Sequence, residues 1–266
     1  MGKFFGVSRA AYYAWVKRLV QPDRDIERKQ LIQEAYAKSR GTYGYRRIGM
    51  WICKNKSQVI NHKAILRLMN SLNIRSIARK RRIFTRMADL GTYHRYENVL
   101  NREFTASQPN QKWVTDITYL PTQQGWAYLS TIKDLFDGFI VAHEVGTQNS
   151  LALVLNTLKQ AKQKEIISAG LILHSDQGFQ YTSQGYHAMM LKYAITPSMS
   201  RRGNCWDNAV MENFFGHLKE EALRYVRNPT LADLKQIIDD YVNFYNYERI
   251  QLKTKQTPFE QRCLST

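Results

Sequence analysis

The segment from residue 111 to residue 145 constrains the fold most strongly. Its first part, "QKWVTDITYL", alternates apolar and polar residues and is rich in Trp, Val, Ile, Thr and Tyr, so it predicts a strand. Two further stretches, "WAYLSTIKD" and "GFIVAHEV", predict strands of the same kind, with "LFDG" as the turn between them. Three consecutive strands with short connections predict an antiparallel meander.

The rest of this half alternates between helical and strand patterns. Helices are predicted over residues 149–164 and 183–193, with strands over 170–174 and 194–200. Two amphipathic helices, over residues 205–225 and 231–249, follow them. This order predicts a mixed five-stranded sheet with helices on its faces.

Two acids are predicted to meet at this sheet. Asp116 lies in the first strand on the same face as Val114 and Thr118, and Asp176 follows the fourth strand in "HSDQGFQYTS". If the first and fourth strands are neighbours, the two carboxylates come within a few ångströms of each other. Like charges that close repel strongly unless a cation lies between them.

A third acid lies in the helix "GNCWDNAVMENFFGHLKEE". Its apolar positions, predicted to face the sheet, are Val210, Phe214 and Leu218. At 100° per residue a polar stripe forms beside them, with the members Asn208, Glu212, Gly216 and Lys219. The alternative interpretation of this stripe is an exposed polar face without a role.

The net charge of +17 is concentrated in the N-terminal part. Residues 1–110 contain 23 Lys and Arg against 7 Asp and Glu, a net charge of +16, and the remainder carries +1. Such asymmetry indicates a nucleic-acid-binding region joined to a different module. The alternative is a merely solvated basic surface.

Helical patterns fill this basic region. Ser8 is predicted to cap a helix in "GVSRAAYYAWVKR", a second helix covers residues 24–38, a third covers residues 46–53, and Asn61 caps a fourth. Lys63 and Arg67 lie four residues apart, off the apolar stripe of that fourth helix. This pattern predicts a helix-turn-helix that presents cations to DNA, although any small basic three-helix bundle has the same pattern.

Several classes of protein are excluded. Cys53, Cys205 and Cys263 lack CxxC spacing, which argues against a disulfide framework and a thiolate zinc site. No apolar run approaches the roughly 18 residues of a membrane span, which argues against a membrane-spanning protein. No G-x-x-x-x-G-K-[ST] motif is present, which argues against a recombinase driven by a P-loop. A soluble protein of the cytoplasm is expected.

Three segments carry a resemblance to a known family. "WVTDITY", "HSDQGFQYTS" and "RRGNCWDNAVMENFFGHLK" resemble, in order and spacing, the catalytic segments of bacterial insertion-sequence transposases with a retroviral-integrase-like core, in particular the second-reading-frame product of the two-frame group. "YGYRRI" and "INHK" resemble that family's helix-turn-helix. The resemblance covers nearly the whole chain.

The resemblance implies a ribonuclease H-like core in which Asp116, Asp176 and Glu212 are both the catalytic acids and the metal ligands. It also implies that Lys219 meets substrate phosphate. Hard carboxylate oxygens suit Mg²⁺ or Mn²⁺, and two such cations about 4 Å apart can serve phosphodiester chemistry. Residues 1–86 are then predicted as the DNA-binding region, 87–110 as a linker and 111–266 as the catalytic core.

Other residues receive supporting roles. The cations expected to contact double-stranded DNA are Arg46, Arg47, Lys63 and Arg67. His174 is predicted either to orient Asp176 or a water, or simply to pack at the end of its strand. Asp207 and Asn208 are predicted to cap or brace the Glu212 helix. The remaining acids, Asp134 and Asp137, are interpreted as turn residues.

The resulting hypothesis is a transposase that cuts and joins DNA at the ends of an insertion sequence and works as a homo-oligomer on DNA. Two alternatives stay open. One is a nuclease of the same fold that hydrolyses but never joins. The other is a DNA-binding regulator with a non-catalytic core.

In the tail "YNYERIQLKTKQTPFEQR", Ile250 and Gln251 stand where the family more usually has Pro and His.

Overall fold

A computed structural model describes residues 8–19, 23–76, 94–167, 170–201 and 205–264. The chain divides into two compact units, residues 1–76 and 77–266. Residues 87–93 of the predicted linker lie outside the described residues, as do residues 77–86 before it, and residues 94–110 of the linker are described. No helix in the described ranges is long and apolar enough to cross a membrane.

The first unit is all-helical, as predicted. Its helices are α1 (Arg9–Leu19), α2 (Ile26–Lys38), α3 (Tyr45–Lys56) and α4 (His62–Ser71). Ser8 accepts a hydrogen bond from the backbone N–H of Ala11, and Asn61 accepts one from that of Lys63. Both side chains therefore satisfy N–H groups that a helix start leaves without an intrahelical partner.

The core of this unit comes from the apolar stripes of α2, α3 and α4. Their fully or almost fully buried residues are Ile32, Ala35, Ile48, Ile52, Ile65, Leu68 and Met69. The spacing of Ile65, Leu68 and Met69 is the one that predicted α4. Burial of this stripe leaves the opposite side of α4, with Lys63 and Arg67, exposed.

The second unit is built on a five-stranded mixed sheet, which confirms the predicted fold class. Its strands are β1 (Lys112–Thr122), β2 (Gly125–Asp134), β3 (Ile140–Gly146), β4 (Ile172–Ser175) and β5 (Thr196–Met199). Their spatial order is β3-β2-β1-β4-β5. The first three strands form the predicted antiparallel meander, while β4 runs parallel to both β1 and β5.

Helices cover this sheet. They are α5 (Leu151–Lys164), α6 (Gln184–Lys192), α7 (Ala209–Glu221), α8 (Leu231–Asn243) and α9 (Pro258–Cys263). The core on the side of α5 and α6 includes Trp113, Leu158, Leu173, Tyr186 and Met190. Burial of these large side chains supplies most of the favourable free energy that holds the helices on the sheet.

Two helices differ from their predicted extents. The helix predicted over 205–225 starts with a 3-10 turn, Cys205–Asn208, and α7 ends at Glu221. The helix predicted over 231–249 ends as α8 at Asn243 and continues as a π-helix, Phe244–Glu248. The π-turn buries Phe244, Tyr245 and Asn246, so tertiary packing rather than helical periodicity sets its geometry.

The two acids interpreted as turn residues do bind turn N–H groups, and both also contact a C-terminal arginine. Asp134 Oδ1 accepts the backbone N–H of Phe136 at 2.9 Å, and Asp137 Oδ1 accepts that of Phe139 at 2.7 Å. Arg262 of α9 contacts Asp134 at 2.9 Å, Asp137 at 2.7 Å and also Glu165. Burial, followed by the charge of Asp137, raises the pKa of Asp134 to about 6, and Arg262 opposes this rise. The cluster ties the chain's last helix to the end of β2 and the end of α5.

A second buried arginine fixes the closing segment. Arg249 is fully buried, and its guanidinium binds both carboxylate oxygens of Glu221, at 2.7 and 2.8 Å. Gln251, at the position where the family more usually has His, accepts a hydrogen bond from Arg249 at 3.4 Å. Gln251 therefore lies beside this arginine and joins its network.

Candidate active site

The pairing of β1 with β4 aligns the first two acids. In this parallel ladder Val114 lies opposite His174. Asp116 lies two residues after Val114, and Asp176 lies two residues after His174. The two acids are therefore at the same level along the sheet, Asp116 within β1 and Asp176 just after the end of β4. The structure thus confirms the strand adjacency on which their predicted meeting depends.

Local hydrogen bonds fix each carboxylate. Asp116 Oδ1 accepts the backbone N–H of Ile117 at 2.8 Å, and Asp176 Oδ1 accepts that of Gly178 at 2.9 Å. A Cβ on Gly178 would lie 3.0 Å from Asp176 Oδ1 and 3.0 Å from Gln180 Oε1. The turn after β4 therefore holds Asp176 in a position that depends on a glycine two residues later.

Helix α7 brings the other two predicted residues to this place. It packs on β1 through a buried face, whose members are Met211, Phe214, Phe215 and Leu218. Val210 was predicted to lie in that face but is only half-buried, because the helix turns Met211 into the core instead. Glu212 is exposed next to this face.

Lys219 lies two turns of α7 after Glu212. Its Nζ donates a hydrogen bond to Thr118 Oγ1 at 2.6 Å. Thr118 follows Asp116 by two residues on the same face of β1, so the lysine is held next to the acids. Thr118 had been placed on the Asp116 face by strand alternation, but that pattern assigned it no partner.

The electrostatics of Asp116 link these groups. Burial raises the pKa of Asp116 well above its ordinary value, and the Asp176 and Glu212 carboxylates raise it further. The Ile117 N–H and the Lys219 ammonium lower this pKa. The Asp176 carboxylate in the turn after β4, and the Glu212 carboxylate and Lys219 ammonium of α7, therefore all act electrostatically on Asp116 of β1.

The predicted DNA-contacting cations all lie in the first unit. Lys63 is exposed in the first turn of α4. Arg67 is exposed too, but its guanidinium contacts Asp25 at 2.7 Å and so joins α4 to the start of α2. Arg46 and Arg47 lie at the start of α3, over the rings of Tyr45 and Tyr43.

Family models match three parts of this chain. An integrase core domain model matches residues 106–205, a second integrase core domain model matches residues 212–264, and an HTH-like domain model matches residues 22–82. Among curated relatives, InsK of insertion sequence element IS150 from Escherichia coli strain K12 is 38% identical, over 96% of this chain and 90% of that protein. The transposase for element IS904 from Lactococcus lactis is 32% identical, over 86% of this chain and 90% of that protein. The chain belongs to the insertion-sequence transposase family.

Its second unit therefore carries the integrase core of this family. Among solved structures, the magnesium complex of the HTLV-2 integrase catalytic core is similar, with 17% identity and a TM-score of 0.48 over 59% of this chain and 98% of that one. Family members also include a longer protein. The transposase of element IS1353 from Shigella flexneri is 34% identical over 96% of this chain, which spans 50% of that protein.

The donor set of this transposase fits a hard divalent cation. Asp116, Asp176 and Glu212 offer only carboxylate oxygens, the ligands that Mg²⁺ and Mn²⁺ prefer. Within the described ranges, no three His, Cys, Asp or Glu side chains converge closely enough to form a metal cluster. The observation that supports cation binding is the raised pKa of Asp116, caused first by burial and then by the Asp176 and Glu212 carboxylates, because a bound cation would stabilise the ionised carboxylate.

His174 is a packed residue of the transposase core. It is fully buried, with Nδ1 2.9 Å from the Ser198 hydroxyl and Nε2 3.1 Å from that of Ser200. Burial lowers its pKa to about 4, although Asp207 opposes this effect. Both ring nitrogens are thus used to join β4 to β5 and the residue after it, which favours the packing interpretation.

The two residues before α7 differ in what their side chains bind. The buried carboxylate of Asp207 binds Arg102 at 2.7 Å and Arg201 at 3.1 Å, and so anchors the start of the Glu212 helix. Asn208 occupies the N-cap position, yet its side chain makes no capping hydrogen bond. Its Oδ1 is buried without a hydrogen-bond partner among the described residues. The predicted brace is therefore Asp207, and Asn208 is not a side-chain cap.

Proposed function

We propose that this chain is a DNA strand-transferase that cuts the ends of an insertion sequence and joins them to other DNA. The observation that carries the proposal is the alignment of Asp116 with Asp176 across the β1–β4 ladder, with Glu212 acting on the same carboxyl. Two acids that act on a third, buried acid are costly for a module that only binds DNA, and are useful when cations join them.

In this proposal Asp116, Asp176 and Glu212 would hold Mg²⁺ or Mn²⁺, two per site. When bound, these ions supply Lewis-acid stabilisation of the charge that develops on the phosphate and on the attacking and leaving oxygens. Lys219, held by Thr118, orients a phosphate oxygen next to the acids.

The reaction takes place in two displacements at phosphorus. First, water attacks a phosphodiester at the element's end, forms a new P–O bond and releases the 3′-hydroxyl of that end. Next, this 3′-hydroxyl attacks a phosphodiester of other DNA, forms a P–O bond to it and releases that strand's own 3′-hydroxyl. Each step exchanges one P–O bond for another, so no oxidant or energy source is consumed.

In this proposal the first unit binds double-stranded DNA. The HTH-like match and the net charge of +12 over residues 1–76, from 16 Lys and Arg against 4 Asp and Glu, support this role. Lys63 and the N-terminal arginines of α3 are the proposed phosphate contacts. Two or more protomers would hold the two ends of an element, in the bacterial cytoplasm.

The test is a strand-cleavage and strand-joining assay. Labelled duplex that carries the element's end is incubated with Mg²⁺ or Mn²⁺ and with the native protein, the Glu212→Gln variant or the Glu103→Gln variant. Glu103 is a matched control because it is an exposed glutamate in a surface pair with Lys112. We expect cleaved and joined strands from the native and Glu103→Gln proteins, and neither from Glu212→Gln.

Other outcomes separate the alternatives. Cleavage without joining favours the hydrolytic nuclease. Tight binding without metal-dependent chemistry, repeated with a longer fusion that includes the upstream frame, favours the DNA-binding regulator. Native-like chemistry from Glu212→Gln removes this glutamate from the proposed ligand set.

A further inference from the structure

Two exposed aromatic rings lie at the end of the β1–β2 hairpin. Tyr119 and Trp126 are 41% and 57% exposed, and their ring centroids are 5.3 Å apart in an edge-to-face arrangement. Trp126 pairs with Pro121 in the ladder, one residue pair away from the hairpin turn. Large aromatic side chains are normally among the more buried residues, so an exposed pair indicates a binding surface.

This ring pair adjoins the candidate active site. The Lys219 ammonium lies 5.4 Å from the centroid of the Tyr119 ring, and it also hydrogen-bonds Thr118, the residue before Tyr119. The same ammonium acts on the pKa of Asp116. One lysine therefore connects the acids to the aromatic rings, and a chain of nucleotides held at Lys219 would reach both.

The segment after α7 also carries an exposed aromatic ring beside a cation. The backbone N–H of Gln123, in the hairpin turn, donates to the carbonyl of Pro229 at 3.0 Å and so holds the segment after α7 against the turn. That segment carries Tyr225, which is exposed, with the guanidinium of Arg224 5.6 Å from its ring centroid. Arg224 also contacts Glu220, which neutralises one nearby acid.

Exposed aromatic rings interleaved with cations fit unpaired nucleotides. Each base has an aromatic face that can stack on Tyr or Trp, while the cations attract the backbone phosphates. Paired bases within a duplex are stacked on one another and do not offer these faces. The chemistry of this surface therefore discriminates unpaired from paired DNA.

We infer that Tyr119 and Trp126, together with Lys219, form a stacking platform for unpaired bases of the DNA strand next to the phosphate being cut or joined. The stacking platform rests on the proposed function, because that function places phosphate at Lys219. It adds a substrate subsite made by the hairpin, distinct from the acids and from the helical first unit.

The test measures how tightly a short fluorescein-labelled oligothymidylate binds the full chain, with fluorescence anisotropy as the readout and EDTA in the buffer. The variants are Tyr119→Ala, Trp126→Ala and Trp126→Phe, and Tyr247→Ala is a matched control because Tyr247 is a half-exposed tyrosine elsewhere in the second unit. A fluorescein-labelled duplex of the same length is measured in parallel.

We expect each of Tyr119→Ala and Trp126→Ala to weaken binding of the oligothymidylate about tenfold. Trp126→Phe keeps a ring and should bind like the native protein, as should Tyr247→Ala. Duplex affinity should stay unchanged in all variants. Native-like oligothymidylate binding by both alanine variants would overturn the inference, and so would an equal loss of duplex binding.

A second measurement covers the case in which an alanine variant fails to fold. An oligonucleotide with 5-iodouracil is photo-crosslinked to the native protein and the crosslinked peptide is sequenced. Attachment at Tyr119 or Trp126 supports the stacking platform, and attachment only elsewhere overturns it.

The two proposals fail in distinguishable ways, because binding in EDTA does not depend on catalysis. Glu212→Gln should abolish strand cleavage and keep full oligothymidylate binding. If platform variants bind normally while native protein cuts and joins DNA, only the stacking platform falls. If they lose oligothymidylate binding while native protein shows no metal-dependent chemistry, only the strand-transferase function falls.

Discussion

The Lys219 ammonium lies 2.6 Å from the Thr118 hydroxyl, which joins the second half of α7 to the strand that carries Asp116. Loss of this hydrogen bond should leave the lysine misplaced. We expect Thr118→Val to lower the rate of strand cleavage roughly tenfold with little change in DNA affinity, since a hydrogen bond to a charged group is worth about 1.5–3 kcal/mol. The measurement is single-turnover cleavage over a range of DNA concentrations.

Thr118→Ser retains the hydroxyl and serves as the matched control, so its rate should be close to native. Lys219→Gln should lose more activity than Thr118→Val, because it removes the charge itself. A native rate in Thr118→Val would show that Lys219 keeps its position without this hydrogen bond.

Gly178 should control the position of Asp176. A Cβ there would meet Asp176 Oδ1 at 3.0 Å, and the flexible end of that side chain can move away. We expect Gly178→Ala to remain folded but to lose roughly 100-fold in cleavage rate, since displacements of about 1 Å have effects of that size. Thermal unfolding and cleavage assays on the same sample separate the two effects.

Gly170→Ala is the comparison for backbone strain. Gly170 has φ +87° with no atom within 4 Å of its would-be Cβ, so its substitution strains the backbone without touching Asp176. It should cost about 1 kcal/mol of stability and leave catalysis intact. Equal activity of the Gly178 and Gly170 variants would contradict the role of Gly178.

The Glu221–Arg249 pair should make stability depend on pH. Burial alone would raise the pKa of Glu221, but hydrogen bonds from His217 and Arg249 outweigh it and lower this pKa from 4.5 to about 2. Because the folded pKa lies below the unfolded one, the contribution is fully present above about pH 4.5 and is lost as the pH falls toward 2. Its size is on the order of 3 kcal/mol.

Chemical denaturation between pH 2 and pH 6 measures this contribution. Glu221→Gln should destabilise the protein by roughly 3–5 kcal/mol at neutral pH, because Arg249 is left buried without its carboxylate. Glu220→Gln, in the surface pair with Arg224, should cost at most about 1 kcal/mol. If Glu221→Gln and Glu220→Gln lost similar amounts of stability, the buried Glu221–Arg249 pair would contribute no more than the surface Glu220–Arg224 pair.

Lys63 should contribute one phosphate contact in the complex with double-stranded DNA. We expect Lys63→Gln to weaken binding to all duplex sequences and to reduce the slope of log K against log salt by about 0.9. Fluorescence anisotropy titrations at several salt concentrations give the slope.

Asp25→Asn provides the opposite test, since it releases Arg67 from its intramolecular partner. Its salt slope should become steeper by about 0.9 if Arg67 then turns to phosphate. An unchanged slope in Lys63→Gln would remove α4 from the proposed DNA contact surface.

Much of this fold follows from local chemistry. Alternation of side chains predicted β1, β2 and β3 as a meander, and the spacing of Ile65, Leu68 and Met69 predicted α4. Asn61 was recognised as a cap from its residue type and position. These features depend on residues close in sequence, whose preferences survive in the folded chain.

Side-chain periodicity and residue type specify the element types, the strand faces and the order of the three acids along the chain. The β1–β4 pairing, the Thr118–Lys219 hydrogen bond and the contacts of Asp134 and Asp137 with Arg262 arise only when the chain folds. All these partners are far apart along the chain, and Lys219 and Arg262 follow Thr118 and Asp134 by 101 and 128 residues. Partners so distant are selected by the packing of whole elements, and neither periodicity nor residue type specifies which partner is chosen.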